Sequence, residues 1–174
     1  EIKPREKTSF SVEILEPKKC TRYTGIIIKN VTVKESPLWV KLKLESIGVK
    51  SINNIVDITN LVLHDLGQPL HAFDLDKITN EHIKVRCPKP KTRFITLDEN
   101  ERTLDQNDLM ICNDTDEMCI AGVFGGIDSG VNEKTKHIFI ESALFNPVNI
   151  RKTAKRHGLN TDASFRYERG VDPE

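Results

Sequence analysis

Between residues 83 and 141 the chain is divided into short β-forming runs with turns between them, and this limits the fold more than any other feature. The runs are 83–86, 94–97, 109–112, 119–123 and 137–141, built largely from β-branched, aromatic and long apolar residues. Asp98-Glu99-Asn100, Asn113-Asp114 and Gly125-Gly126 read as the turns. Strands this short and this closely spaced imply mainly antiparallel sheets, packed face to face.

The flanks read differently. Residues 22–33, rich in threonine and β-branched side chains, form a further strand. Ser36 as N-cap and Pro37 at the first helical position then open a helix. Leu38, Leu42 and Ile47 would be its buried stripe, and Gly48 its end. A second helix covers 54–66, with Ile55, Ile58, Val62 and Leu66 on one face. Gly67 stops it and Pro69 bars a restart. A basic helix over 149–157 is closed by Gly158. One strand, two helices, a run of strands and a last helix make an α+β fold rather than a doubly wound one.

A length of 174 residues suits one domain or two tightly fused lobes, and 37% hydrophobic residues suffice for a core. Lys+Arg and Asp+Glu both total 26, so the balance does not indicate a strongly basic nucleic-acid binder. A local basic patch stays open at Arg151, Lys152, Lys155, Arg156 and His157, as a solvated helix face or as a contact to a nucleic-acid backbone. The longest apolar runs, such as Ile26-Ile27-Ile28, are too short to span a bilayer. Residues 1–7 lack the apolar stretch of a signal peptide, and both ends read as cut from a longer protein. Cys20, Cys87, Cys112 and Cys119 match no zinc or C-x-x-C spacing, which suggests reduced thiols in a cytosolic protein. A Cys–His hydrolase is the sharper alternative. No cysteine has a histidine beside it in sequence, and pairing in space stays open. There is no phosphate loop, no Rossmann glycine pattern and no G-x-S-x-G elbow.

Four stretches carry a resemblance. They are Ile52-Asn53-Asn54-Ile55-Val56-Asp57-Ile58-Thr59-Asn60, Gly67-Gln68-Pro69-Leu70-His71-Ala72-Phe73-Asp74 and Ile120-Ala121-Gly122-Val123-Phe124-Gly125-Gly126. The fourth runs from Arg151-Lys152-Thr153-Ala154-Lys155-Arg156-His157-Gly158-Leu159, through Thr161-Asp162-Ala163-Ser164, to Arg166-Tyr167-Glu168-Arg169-Gly170-Val171-Asp172-Pro173. In this order and spacing, from about Pro37 onward, they resemble the B3/B4 editing region of the β subunit of bacterial phenylalanyl-tRNA synthetases. The resemblance implies a single B3/B4 domain over 1–174, a three-layer α+β structure of mainly antiparallel sheets with flanking helices. It implies hydrolysis of tyrosine wrongly attached to tRNA(Phe) by an activated water, in support of phenylalanine–tRNA ligation by an α2β2 enzyme. The expected partners are the α subunit, tRNA(Phe) and the amino acids tyrosine and phenylalanine, in the cytoplasm and without a membrane. No cofactor or metal is expected in this domain; ATP and Mg would belong to the whole synthetase, outside it. The alternative is a non-catalytic structural or tRNA-contacting module of the same subunit.

A second site has a physical purpose. A hydrophobic pocket rejects an added hydroxyl by only about 100-fold. A hydrogen bond from that hydroxyl to a charged group contributes about 1.5–3 kcal/mol, so a site that selects tyrosine positively can do the sorting.

Each candidate residue has a plain reading and a functional one. Glu141, closing an apolar run, is either an acid tied to backbone or a lysine, or, as the resemblance implies, the acceptor for the tyrosine hydroxyl. His71 is either a half-buried histidine bonded to backbone or the group that positions water or the tRNA end. Thr59 and Asn60 are an ordinary polar pair on a helix, or by resemblance part of the pocket wall. Ala121 and Gly122 form a tight turn that leaves room for a ring and offers backbone N–H groups to a carbonyl oxygen. Thr161 is a helix cap or a pocket residue, and Ala163 matters through its small size. Lys50-Ser51 stands where many relatives have Arg-Pro. Lysine lacks arginine's bidentate fork, and Lys50 is kept as a candidate substrate contact.

Overall fold

The computed structural model describes residues 8–172. In chain order the strands are β1 (Ser11–Ile14), β2 (Cys20–Lys29), β3 (Leu70–Asp74), β4 (His82–Arg86), β5 (Arg93–Ile95), β6 (Glu101–Thr103), β7 (Met110–Cys112), β8 (Glu117–Ile120), β9 (Phe124–Gly125) and β10 (His137–Phe145). The helices are α1 (Leu38–Ser46), α2 (Asn54–Leu66), α3 (Pro147–His157) and α4 (Asp162–Tyr167). No described helix is long and apolar enough to cross a membrane.

The strands form a five-stranded sheet in the order β1-β4-β7-β8-β9, a three-stranded sheet β2-β10-β3 and the pair β5-β6. Every pairing is antiparallel except β1 with β4. β10 organises the interior by its alternation. Phe139, Ala143 and Phe145 join Ile83, Val85, Met110, Ile111 and Ile120 of the five-stranded sheet in one buried cluster. Ile138, on the opposite face, packs with Ile55 of α2 and Ala72 of β3. The layers are therefore helices α1 and α2, the three-stranded sheet and the five-stranded sheet. Ile150, Ala154 and Tyr167 of α3 and α4 join the core between the sheets.

The helix ends follow capping chemistry. Asn53 Oδ1 accepts from the N–H groups of Ile55 and Val56 to start α2, and Gly67 ends it in the left-handed conformation. Asn146 starts α3 in the same way with Pro147 in its first turn, and Gly158 closes it.

The structure corrects four expectations. Ser36 does not cap α1; its Oγ donates to the buried Asp57 carboxylate at 2.5 Å, and α1 begins after Pro37 without a side-chain cap. The buried stripe of α1 is Val40 and Leu44, whereas Leu38, Leu42 and Ile47 are 69%, 55% and 53% exposed. In α2 the inward residues are Ile55, Asp57, Thr59 and Leu63, while Ile58 and Leu66 point outward, because the helix turns its mixed face toward β3. Gly125-Gly126 is not a turn. Gly125 belongs to β9, and the reversal falls at residues 121–123, where Gly122 has φ +66°.

The inward face of α1 gives a direct test. Leu44→Ala should cost about 2–5 kcal/mol of unfolding free energy, as for a fully buried leucine. Leu42→Ala should change it by less than about 0.5 kcal/mol. Urea unfolding of both variants decides whether the stripe is Val40/Leu44.

Candidate functional site

Residues opposite one another across antiparallel strands share a face. Glu141 sits in the middle strand β10, opposite Gly25 of β2 on one side and His71 of β3 on the other. The carboxylate therefore points between the sheets, where it is 4% exposed. Its Oε2 accepts a 2.7 Å hydrogen bond from the Tyr23 hydroxyl. Oε1 has no protein donor among the described residues. Gly25 is required opposite it, since a Cβ there would lie 2.1 Å from the Phe139 ring.

Beside these strands lies a cavity of about 510 Å³. Its walls include the α2 face with Val56, Thr59 and Asn60; β3 with His71; the turn and strand at Gly122–Gly125; the start of α4 with Thr161 and Ala163; and the loop residues Leu97, Gly130 and Val131. Glu141 and Cys119 face it from the sheets. Gly122 shapes the turn, where an added Cβ would meet the Tyr167 and Phe145 rings at 2.8 and 2.9 Å. Thr161 caps α4, accepting from Ser164 N–H, and its hydroxyl donates to Val123 O at 2.9 Å. Both roles proposed for Thr161, cap and cavity wall, are thus present together. Thr59 lines the wall while its hydroxyl donates back to Val56 O at 2.7 Å.

His71 is part-exposed as a residue, but its Nε2 is shut off from solvent and has no protein partner. Its ring stands edge-on to Phe73 with centroids 4.4 Å apart. Burial lowers its pKa to about 4, so the imidazole is neutral near pH 7. The same burial lifts the Glu141 carboxyl to about 7, with the bond from Tyr23 pulling the other way. Cys119 is pushed well above the usual thiol range by burial, and its Sγ lies against the carbonyls of Ile120 and Phe124, so it holds no thiolate nucleophile.

Two candidates lie elsewhere. Ala121 is buried behind the turn, with its N–H bonded to Leu109 O, while Gly122 N–H has no backbone acceptor among the described residues. Lys50 is exposed and does not line the cavity. Its neighbour Ser51 donates to Asp57, which also takes the Ile52 N–H at 2.8 Å, so this segment acts by fixing the rim at Ile52 and Asn53. In the basic helix, Arg156 and His157 are engaged by the buried Asp108, which leaves Arg151, Lys152 and Lys155 facing solvent. Tyr23 is the site residue that sequence reasoning missed. It touches Glu141 across 118 positions of chain, and no local pattern marks it.

A family model described as the B3/4 domain matches residues 19–174. The chain belongs to the B3/4 domain family. It is 57% identical over 164 residues to the phenylalanine–tRNA ligase β subunit of Bacteroides fragilis, covering 94% of this chain and 20% of that protein. It is 45% identical over 168 residues to the corresponding subunit of Thermotoga maritima, covering 97% of this chain and 21% of the relative. The chain thus spans about a fifth of the length of the curated relatives it matches. Among solved structures, an N-terminal fragment of the phenylalanyl-tRNA synthetase β subunit from Pyrococcus horikoshii superposes with a TM-score of 0.59, covering 89% of this chain and 51% of the other. At 14% identity that likeness speaks for the α+β fold alone.

The raised Glu141 pKa gives this B3/4 domain a pH-dependent stability. The folded value of about 7 lies above the ordinary 4.5, so between them the folded chain binds more protons and loses stability as pH rises. At 1.36 kcal/mol per pH unit the loss is about 3 kcal/mol. Glu141→Gln should abolish it, so the difference in unfolding free energy between variant and parent should grow in the variant's favour from pH 5 to pH 8. The His71 contribution is common to both chains and cancels. Denaturant curves that stay parallel would show that Glu141 does not titrate near 7.

Proposed function

We propose that the cavity binds an aromatic amino acid, tyrosine in preference to phenylalanine, and that it serves the hydrolysis of tyrosine wrongly esterified to tRNA(Phe). The observation that carries this reading is Glu141, a buried carboxylate that faces a cavity of about 510 Å³ with one oxygen free of protein donors among the described residues. A phenol hydroxyl reaching Oε1 donates to it, whereas a phenylalanine ring offers it no donor. The amino acid's other end falls toward Thr59, Asn60, His71 and Gly122.

Neutral His71 suits the orientation of a water molecule better than its deprotonation, because a base with a pKa of about 4 takes protons weakly at pH 7. The water adds to the ester carbonyl with Gly122 N–H as the backbone donor available for the developing oxyanion; the acyl–oxygen bond then breaks, the water's proton passes to the departing ribose oxygen of the tRNA, and tyrosine is released. Thr161 and Ala163 close the wall behind the substrate. The chain would be one domain of a longer β subunit that joins an α subunit in an α2β2 enzyme in the cytoplasm. The ATP- and Mg-dependent ligation would take place outside it. Membership of the B3/4 family and the names of the relatives support this assignment.

Titration of the chain with L-tyrosine and L-phenylalanine by NMR tests the binding half. Tyrosine should bind more tightly, and Glu141→Ala should remove that preference, a loss of about 10- to 150-fold with phenylalanine affinity little changed. Equal binding of both by the parent chain would remove Glu141 from specificity. Ala163→Phe, filling the cavity, should block both ligands. Glu141→Ala and His71→Ala in the full enzyme should then slow deacylation of Tyr-tRNA(Phe); unchanged deacylation would leave the non-catalytic module.

A further inference from the structure

Glu141 already accepts one phenol. Tyr23 reaches it from β2 diagonally across the sheet: Tyr23 is paired with Ala143, two residues beyond Glu141 on the same face. Tyr23 is 9% exposed and does not line the cavity, whereas Glu141 does. Its ring is fixed as well, stacked 6.4 Å from Phe139, which Phe10 covers in turn at 4.4 Å. The bond therefore comes from behind the carboxylate, on a rigid support. A carboxylate offers about four lone-pair sites, enough for two phenols at once.

We propose that Tyr23 is the positioning residue of hydroxyl recognition: its phenol fixes one oxygen of Glu141 and leaves the other turned to the cavity for the substrate's hydroxyl. This rests on the tyrosine-binding reading above and adds a residue to it. Without Tyr23 the carboxylate has no bond to hold its rotamer and no donor to favour its charged form in a dry interior. The groups that face Glu141 are Cys20 and Tyr23 from β2, His71 from β3, Cys119 from β8 and Tyr167 from α4. Burial keeps each of them uncharged near neutrality, with the two thiols and two phenols raised and the imidazole lowered. Glu141 is thus the one group of this set that titrates near pH 7, and the pH dependence of tyrosine selection reports on it.

The test is Tyr23→Phe, which keeps the ring and its packing. In the ligand-free chain, carboxyl-carbon NMR of Glu141 should show its titration midpoint moving up by about one to two pH units. The tyrosine-to-phenylalanine affinity ratio, measured from pH 5.5 to 8.5, should rise with pH in the parent chain. In the variant the rise should shift to higher pH, with the ratio down about tenfold at pH 7 and only partly recovered at pH 8.5. Phenylalanine affinity should stay the same throughout. An unmoved midpoint, or equal loss of both ligands at every pH, overturns the proposal, the latter by reducing Tyr23 to a packing residue. A midpoint that moves in a chain binding neither amino acid overturns the tyrosine-binding reading and leaves the coupling of Tyr23 to Glu141 in force.

Discussion

A carboxylate buried between two sheets is the constraint on which the rest of this B3/4 domain turns. Leaving a charge in an apolar interior is costly unless it is hydrogen-bonded, and one bond, from Tyr23, is what the protein supplies. The surroundings are arranged to spare it any competing charge. The Cys20 thiol is pushed up to about 12, Cys119 and the phenols of Tyr23 and Tyr167 lie well above their ordinary ranges, and His71 is held neutral. In such a dry setting a single added hydroxyl has a large effect, because its hydrogen bond is not diluted by water.

Space for a ligand beside that charge comes from backbone geometry. Gly25, opposite Glu141, lets the Phe139 ring cross where a side chain would stand, and that ring braces Tyr23. Gly122, at positive φ, lets the β8–β9 turn close onto the Tyr167 and Phe145 rings without filling the cavity. The opposite wall is held by Asp57, whose carboxylate gathers Ser36, Ser51 and the Ile52 N–H and so fixes the entry to α2. Ser51 adds a hydroxyl donor to that anchor, so the Lys50-Ser51 segment bears on the rim rather than on the floor of the site.

Much of this was legible in the chain, and the failures have physical causes. Helix α2 was read to its ends because its apolar residues recur at helical spacing and Gly67 is a strong local stop; the Asn53 cap at its start is seen only in the structure. The α1 stripe was misread because its apolar residues lie on several faces, and only contact with α2 selects Val40 and Leu44. Strand β3 escaped notice because Pro69 looked like a simple stop, while its pairing partner lies about seventy residues away in β10. Gly125-Gly126 resembled a turn by composition, although the sheet uses Gly125 for its lack of bulk and reverses at Gly122 instead. His71, Glu141, Thr59, Asn60, Gly122, Thr161 and Ala163, distant in sequence, line one cavity. Tyr23 was out of reach, since its role depends on a register that only the folded sheet defines.

The cavity residues also hold the fold together, so selectivity and stability are coupled here. Thr161 caps α4 and bonds the carbonyl of Val123, tying the helix that carries Ala163 to the turn that carries Gly122. Thr59 satisfies its own helix, and Tyr167 donates to the carbonyl of Ala143, two residues beyond Glu141 on the same strand. The α2 and α4 walls and the turn at Gly122 are thereby fixed by bonds independent of any ligand, so binding need not first order them. The group left without that security is Glu141 Oε1. Burial raises the pKa of that carboxyl against the opposing bond from Tyr23, and a hydroxyl donating to Oε1 would offset part of the cost of its charge. Discrimination by one oxygen atom follows from leaving Glu141 Oε1 without a protein donor while Tyr23 holds Oε2.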